Sequence, residues 1–193
     1  AILSSATGQI IAQRALPRYP ITSLFDPTGR FVTFGAAGGL VLSASDLEPV
    51  VPGLAYLGGY VVSPNGRWLA MAGTVTDLLT LQPVLTMVNG FSHAKFCGDG
   101  SRFLNHTIKD TRIYSLPGGQ QVSTLPYASD SRISPDGSVV ALYSGGGWSV
   151  YSVASQEKIL ALTGTVYDVT ILSGNQYLMV QADSNQQVVR RIA

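Results

Sequence analysis

The chain has 193 residues, of which 46% are apolar and only 12% are charged, and its formal net charge is +1. A charged share about half that of a typical globular protein excludes a disordered chain and argues against a helical bundle. The small net charge excludes a general attraction to nucleic acids or anionic membranes, and no apolar run reaches the roughly 20 residues of a transmembrane helix.

Five turn segments recur along the chain, and each contains a glycine on which the segments can be aligned. They are "FDPTGRF" at 25–31, "VSPNGRW" at 62–68, "FCGDGSRF" at 96–103, "ISPDGSVV" at 133–140 and "ILSGNQYL" at 171–178. The glycines stand at 29, 66, 100, 137 and 174, so their separations are 37, 34, 37 and 37 residues. A period of this length indicates a repeat architecture.

Each repeat predicts the same four strands in the same order. A short apolar strand precedes the turn, where Pro and Gly in "SPNG" and "SPDG" suit a type I turn. A second strand follows, such as "RWLAMAG" or "VVALYS", then a Gly- or Asp-rich turn, a third strand such as "WSVYSV" and a fourth such as "KILALTG". β-Branched and aromatic residues in short runs are typical of strands. Because no useful 3.6-residue periodicity occurs, the sequence predicts no helix.

Four short antiparallel strands repeated in this way are typical of the blades of a β-propeller. On the "SPDG" and "SPNG" turns and their flanking strands, the chain resembles the WD-repeat and related β-propeller families over essentially all of its length. It lacks their Gly-His and Trp-Asp pairs, so their buried His–Asp network is not expected here. The third strands end instead in Ser43-Ala44, Ser115-Leu116 and Ser152-Val153.

We therefore predict an all-β fold: one β-propeller domain, 1–193, with about five four-stranded antiparallel blades. The predicted units are a strand in 1–16 and then about 17–53, 54–90, 91–125, 126–163 and 164–193. The last unit ends after its third strand, and "GQIIAQRAL" near the N-terminus can supply the missing fourth strand and close the ring. The alternative is a piece of a longer propeller with more blades outside this chain.

Motifs of catalysis are sparse in this sequence. It contains no G-x-S-x-G, no phosphate-binding loop, no H-E-x-x-H and no paired cysteines. "GAAGG" and "SGGGW" lie between predicted strands and are interpreted as turns. Cys97 stands where Ser63 and Ser134 stand in sister units, which predicts a packed thiol, and we expect structural or exposed roles for His93 and His106. We expect no cofactor, no metal and no catalytic residue.

Aromatic residues recur about ten residues before the aligned glycines. The resemblance implies that the loops here surround one mouth of the axial channel, which is the usual partner-binding face. Aromatic side chains there would act as contact anchors, whereas the alternative is that they seal neighbouring blades against each other. The predicted partner-binding residues are Tyr19, Tyr56, Phe91, Tyr127 and Tyr167.

A second set of candidate residues falls on the innermost strands. Strand alternation places side chains two residues apart on the same side, so these charged residues of adjacent units could line the channel. Simple solvation of the channel wall is the alternative. The predicted channel-lining residues are His93, Lys95, Asp130, Arg132 and Asp168.

The sequence thus predicts a non-catalytic scaffold that binds other protein subunits, not nucleic acid, through the loops around one channel mouth. The alternatives are a hydrolase- or lactonase-like enzyme or small-molecule binder at that mouth, and a sensor or spacer domain of a larger extracytoplasmic protein. The start at Ala1 without Met suggests processing or excision from a longer polypeptide. A surface with few lysines favours a secreted, periplasmic or cell-surface location, although a lone cysteine does not fix the compartment.

Overall fold

The computed structural model describes residues 1–15, 22–25, 29–35, 40–50, 60–71, 73–87, 90–91, 93–162, 164–174, 176–181 and 187–192. These residues contain twenty strands and no helix, as the repeat predicts. None of the described segments is a helix long and apolar enough to cross a membrane. The chain divides into two compact units, Ala1–Val88 and Asn89–Ala193.

The first unit contains three antiparallel sheets in its described residues. Strands β1 and β2 form a hairpin, β3-β4-β5 form a three-stranded sheet and β6-β7-β8-β9 form a four-stranded sheet. Their bounds are β1 Ile2–Leu3, β2 Ile10–Ala12, β3 Thr22–Phe25, β4 Phe31–Gly35, β5 Leu40–Ser43, β6 Tyr60–Val62, β7 Trp68–Met71, β8 Thr74–Asp77 and β9 Gln82–Thr86.

The second unit contains three further sheets, in which consecutive strands pair antiparallel. The orders are β10-β11-β12-β13, β14-β15-β16-β17 and, in the described residues, β18-β19-β20. The bounds are β10 Ala94–Phe96, β11 Arg102–His106, β12 Asp110–Ser115, β13 Gln121–Pro126, β14 Asp130–Ile133, β15 Val139–Ser144, β16 Gly147–Ser152, β17 Lys158–Ala161, β18 Asp168–Ile171, β19 Tyr177–Gln181 and β20 Gln187–Arg191.

The turn between the first and second strands is built from the same hydrogen bonds in successive sheets. The Ser134 hydroxyl donates to Asp136 Oδ1 at 2.8 Å and accepts from the Val139 N–H at 3.0 Å. In the first unit, Ser63 donates to Asn65 Oδ1 at 2.6 Å. The side chains satisfy backbone groups that strand pairing leaves without a partner at the turn. This explains why these residues recur with the repeat.

Cys97 makes the corresponding contacts in the third aligned turn. Its thiol donates to Asp99 Oδ1 at 2.9 Å and accepts from the Arg102 N–H at 3.0 Å. The side chain is fully buried. Burial raises the pKa of the thiol, and the hydrogen bond to Asp99 raises it further. The packed thiol that the alignment predicts is therefore confirmed, and its protonated form is a poor nucleophile.

Consecutive sheets of the second unit pack face to face. Leu104 and Ile113 share one apolar cluster with Val140 and Leu142 of the next sheet. A second cluster joins that sheet to the last one and includes Trp148, Val150, Val169, Leu178 and Val180. Each buried aliphatic side chain contributes about 1.5–3 kcal/mol. Because the second strand of a middle sheet is covered on both faces, β15 has buried residues at four successive positions.

The last sheet shows three described strands, and every residue of β20 is exposed. At the N-terminus, β2 pairs with β1, with Ile2 opposite Ala12. The N-terminal segment therefore forms the two strands and turn that its alignment with "WSVYSVASQEKILAL" predicts. Closure of the ring, the number of blades in it and the boundaries of the five predicted units stay predictions.

Candidate functional site

Charged side chains lie on the first strand of each of the three sheets in the second unit. Lys95 lies on β10, Asp130 and Arg132 lie two residues apart on β14, and Asp168 begins β18. Because residues two apart on a strand share a face, Asp130 and Arg132 point to the same side. We call Lys95, Asp130, Arg132 and Asp168 the charge ladder.

The charge ladder joins the three sheets through ion pairs. Lys95 Nζ lies 2.8 Å from Asp130 Oδ1. The Arg132 guanidinium lies 2.8 Å from Asp130 Oδ2 and, through its other terminal nitrogen, 2.8 Å from Asp168 Oδ1. Two cations and two carboxylates thus alternate across three successive first strands, and their formal charges cancel.

Hydrogen bonding keeps the Asp130 carboxylate ionised. Burial alone would raise its pKa, but hydrogen bonds from Lys95, from the Ser131 N–H and from Arg132 lower the pKa to about 2. Lys95 also donates to the Ser131 carbonyl. A carboxylate with this pKa cannot act as a general acid near neutral pH, so the ladder is better suited to structure and recognition than to proton transfer.

His106 is buried beside the ladder, and both of its ring nitrogens are hydrogen-bonded. Nδ1 lies 2.9 Å from Thr111 Oγ1, and Nε2 lies 2.9 Å from Ser131 Oγ in the next sheet. Burial, together with the nearby charges of His93 and Lys95, lowers the pKa of His106 to about 4. The ring is therefore neutral at physiological pH and links two sheets. His93 is exposed and lies edge-to-face with it at 5.9 Å between ring centroids.

The structure brings four of the five predicted channel-lining residues into direct contact, and it places His93 against His106. It does not gather them into a metal centre: within the described residues, no group of three or more His, Cys, Asp or Glu side chains could hold a metal ion. The carboxylates of Asp130 and Asp168 are held by Arg132 between them. That these side chains line an axial channel stays a prediction.

A cavity of about 520 Å³ adjoins Asp130 in the second unit. Its wall combines aromatic side chains with hydroxyls, one carboxylate and glycine backbone. The lining residues are Ser129, Asp130, Tyr143, Gly146, Trp148, Gly164, Thr165, Val166 and Tyr167. Its volume lies within the range of about 300–1,000 Å³ that small-ligand pockets occupy.

Two of the aromatic residues in this cavity are directly opposite each other in the sheet. Tyr143 on β15 pairs with Trp148 on β16, and their ring centroids are 5.3 Å apart. The Arg132 guanidinium lies 5.5 Å from the Trp148 ring centroid, so the charge ladder and the cavity share a wall. The indole Nε1 of Trp148 is buried and has no hydrogen-bond acceptor among the described residues.

Sequence reasoning did not select Tyr143 or Trp148, because each falls within a strand pattern that also suits core packing. A usable signal was present. Gly145 and Gly146 connect the two strands and Gly147 begins the second, which leaves an aromatic residue on each side of a small turn. Gly145 and Gly146 have φ values of +61° and +85°, which glycine adopts without steric cost.

The predicted aromatic residues have different environments. Tyr127 and Tyr167 are 47% and 65% exposed and lie in the segments that lead into β14 and β18. Phe91 is half-buried and packs edge-to-face on Phe103 of its own repeat at 5.0 Å between centroids, so this contact does not test whether Phe91 seals neighbouring blades. Tyr19 and Tyr56 lie outside the described residues.

One end of each sheet in the second unit carries the segments that enter the first strand and the turns that leave the second. We call this end the loop edge and define it by residues 107–109, 127–129, 145–146 and 164–167. Ion pairs join consecutive first strands of this unit, and Gly146 and residues 164–167 line one cavity. The loops of the last two sheets therefore lie next to each other at this edge.

No protein-family model and no curated protein sequence matches the chain. Several solved structures are similar to it. KlHsv2 with loop 6CD replaced by a Gly-Ser linker has a TM-score of 0.66 at 15% identity and covers 92% of this chain and 67% of its own. A eukaryotic initiation factor has a TM-score of 0.65 at 17% identity, with coverage of 93% and 55%.

The β-propeller domain of Cps50 (Swd1) from Myceliophteria thermophila has a TM-score of 0.62 at 12% identity, with coverage of 93% and 67%. The chain thus spans between 55% and 67% of the length of these structures. Identities this low establish the fold alone. Together with the sheets described above, they show that the chain has a β-propeller fold.

Proposed function

We propose that this chain is a non-catalytic propeller domain that binds another protein through the loop edge of its second unit. The observation that carries the proposal is the exposure of three large apolar or aromatic side chains along that edge. Ile108 is 89% exposed, Tyr127 47% and Tyr167 65%. Exposed residues of this kind, clustered on one face, are typical of protein-interaction surfaces.

The state of the reactive side chains supports binding over catalysis. His106 has both ring nitrogens engaged and a pKa of about 4. Burial, above all, raises the pKa of the Cys97 thiol. The ladder carboxylates of Asp130 and Asp168 are engaged by cations. A nucleophile with an adjacent base, or a perturbed pair of carboxylates, is the arrangement that an enzyme would need.

Site-specific photocrosslinking tests this proposal in the organism that produces the protein. A photoreactive amino acid is placed at position 108, 127 or 167, and for comparison at Tyr177, which is 42% exposed at the opposite end of the last sheet. We expect one protein to crosslink from the three loop-edge positions and not from 177. Crosslinking from 177 alone would contradict the proposal.

Direct binding then follows with the purified partner. Ile108→Ser, Tyr127→Ser and Tyr167→Ser should each weaken binding by about tenfold, whereas Tyr177→Ser should leave affinity unchanged. Because all four side chains are exposed, their loss should not unfold the protein, and thermal melting checks this. Unchanged affinity in the three loop-edge variants, with the fold intact, would show that the partner binds elsewhere.

A further inference from the structure

The cavity beside Asp130 has a chemistry of its own that protein docking on the loop edge does not require. Its charged groups are already paired: Asp130 is bonded to Lys95 and Arg132, and Arg132 also to Asp168. A cationic ligand would meet Arg132 behind the Trp148 ring, and an anionic ligand would meet cations that are already neutralised. The arrangement therefore favours a ligand without net charge.

The hydrogen-bonding groups of the wall favour a ligand rich in hydroxyls. Asp130 Oδ2 accepts from Arg132, and a carboxylate oxygen has room for a second donor. The hydroxyls of Thr165 and Tyr167 can donate and accept. These groups supply both donors and acceptors, which a ligand rich in hydroxyls would match.

The aromatic side chains provide apolar contact between these polar groups. Tyr143 is half-buried and Tyr167 is 65% exposed, so both can present ring surface to a ligand, whereas Trp148 is 2% exposed and packs on Tyr143. An aromatic ring has an apolar face, and in Tyr and Trp a polar edge as well. A ligand that fits must therefore present C–H surfaces as well as hydroxyls, which a purely polar ion or a purely apolar molecule does not.

We propose that this cavity is a binding site for a neutral saccharide, with C–H faces against Tyr143 and Tyr167 and hydroxyls bonded to Asp130 and Thr165. This site goes beyond the proposed function, since it needs neither Ile108 nor Tyr127. The three glycines of 145–147 keep the rim free of side chains. In the preceding sheet the corresponding turn contains Ile108 and Lys109, and Thr107 and Asp110 bond across it at 2.6 Å.

Saturation-transfer NMR with four neutral disaccharides, maltose, cellobiose, lactose and chitobiose, tests the proposal on the purified chain. Choline and glucose 6-phosphate serve as charged probes. We expect at least one disaccharide to bind with a Kd of about 1 mM or tighter and to quench tryptophan fluorescence, with no binding of the charged probes. Absence of binding by all four disaccharides, or binding of a charged probe instead, would overturn the proposal.

A pair of matched variants locates the site. Thr165→Trp fills the cavity and should weaken saccharide binding by about tenfold or more. Thr170→Trp introduces the same side chain at an exposed position of β18 outside the cavity and should leave affinity unchanged. Binding that survives Thr165→Trp places the ligand elsewhere and refutes the site. Tyr143→Leu provides an independent check if Thr165→Trp fails to fold, and it should weaken binding similarly.

Failure of the saccharide proposal can be told apart from failure of the protein-binding proposal. Ile108→Ser and Tyr127→Ser lie outside the cavity lining and should leave saccharide affinity unchanged, while Thr165→Trp tests the cavity by itself. A saccharide that binds equally well to all of these variants contradicts the cavity site without bearing on partner docking.

Discussion

Val61 on β6 occupies the position that Lys95 and Arg132 hold in the second unit, counted back from Ser63, Cys97 and Ser134. The turns after these strands share their hydrogen bonds. The side chains that precede the turns differ in chemistry. Val61 is half-buried and apolar, whereas Lys95 and Arg132 pair with carboxylates of the next sheet. The repeat thus conserves the backbone plan and leaves the first strands free to differ.

The repeats also differ in the residues that face each other where the second strand turns into the third. In the fourth aligned repeat the facing residues are Tyr143 and Trp148, which line the cavity. The corresponding positions are His106 and Thr111 in the third repeat, joined by a hydrogen bond of 2.9 Å. In the second repeat the sequence has only Ala72 and Gly73 there. The chemistry that distinguishes one repeat from another therefore lies on the first strands and in the facing pairs beside the turn between the second and third strands.

The largest expected effect concerns His106, which has no counterpart in the first unit. The folded protein holds it neutral with a pKa of about 4, against 6.5 for an ordinary histidine. As pH falls from about 6.5 to about 4, the unfolded chain takes up a proton that the folded protein excludes, so the free energy of unfolding falls by up to about 3 kcal/mol. Urea unfolding across this pH range measures the loss.

His106→Gln should reduce this pH dependence, whereas His93→Gln, at an exposed position, should leave most of it in place. NMR titration of the His106 ring provides a direct measurement. An ordinary pKa near 6.5 in the folded protein would show that the ring is not held neutral between Thr111 and Ser131.

A smaller effect on stability is expected from replacing the turn glycine, which can be compared between the two units. Gly29 and Gly137 both have positive φ, +69° and +73°. Among the described residues, a Cβ at Gly29 would meet no atom within 4 Å, but one at Gly137 would overlap Cβ and Cγ of Arg102. Gly29→Ala should therefore cost only the backbone strain, about 1 kcal/mol, and Gly137→Ala about 2 kcal/mol or more.

Thermal and urea unfolding of the two variants measure this difference. If both substitutions cost the same, the Arg102 side chain moves aside without penalty, and the turn of the second unit is no more tightly packed than that of the first.

The sequence was sufficient to predict the fold because the determinants of the turns are local. Ser134, Asp136 and Gly137 lie within four residues, and equivalent hydrogen bonds recur in the turns of Ser63 and Cys97. Strand alternation also predicted that Asp130 and Arg132 share a side. The pairing of Lys95 with Asp130 depends on how two sheets pack, which spacing within one strand cannot specify.

The cavity was beyond prediction for a related reason. Its lining comes from residues 129–130, 143, 146, 148 and 164–167, which belong to different strands and loops, so no short motif contains it. Tyr167 was selected from its place before an aligned glycine. Tyr143 and Trp148 have the size and polarity of core residues, and only their pairing across a glycine turn sets them apart.

The smallest expected effect on stability comes from removing one arginine of the charge ladder. It tests whether the ladder stabilises the packing of neighbouring sheets, which the apolar Val61 at the equivalent position of the first unit cannot do through ion pairs. Arg132 pairs with Asp168 of the next sheet, whereas Arg112 pairs with Asp110 of its own strand, β12. Both arginines are half-exposed, so each pair contributes little. Arg132→Gln should lower the free energy of unfolding by about 1 kcal/mol at low salt, and Arg112→Gln by only a few tenths, about 0.3 kcal/mol.

Salt separates an electrostatic contribution from a packing one. Ion pairs this exposed are screened at about 1 M NaCl, so the cost of Arg132→Gln should shrink there if it arises from Asp130 and Asp168. A cost that persists in high salt would assign it to the contact of Arg132 with the Trp148 ring. Equal costs for the two arginine variants would mean that bridging two sheets contributes no more than pairing within one strand.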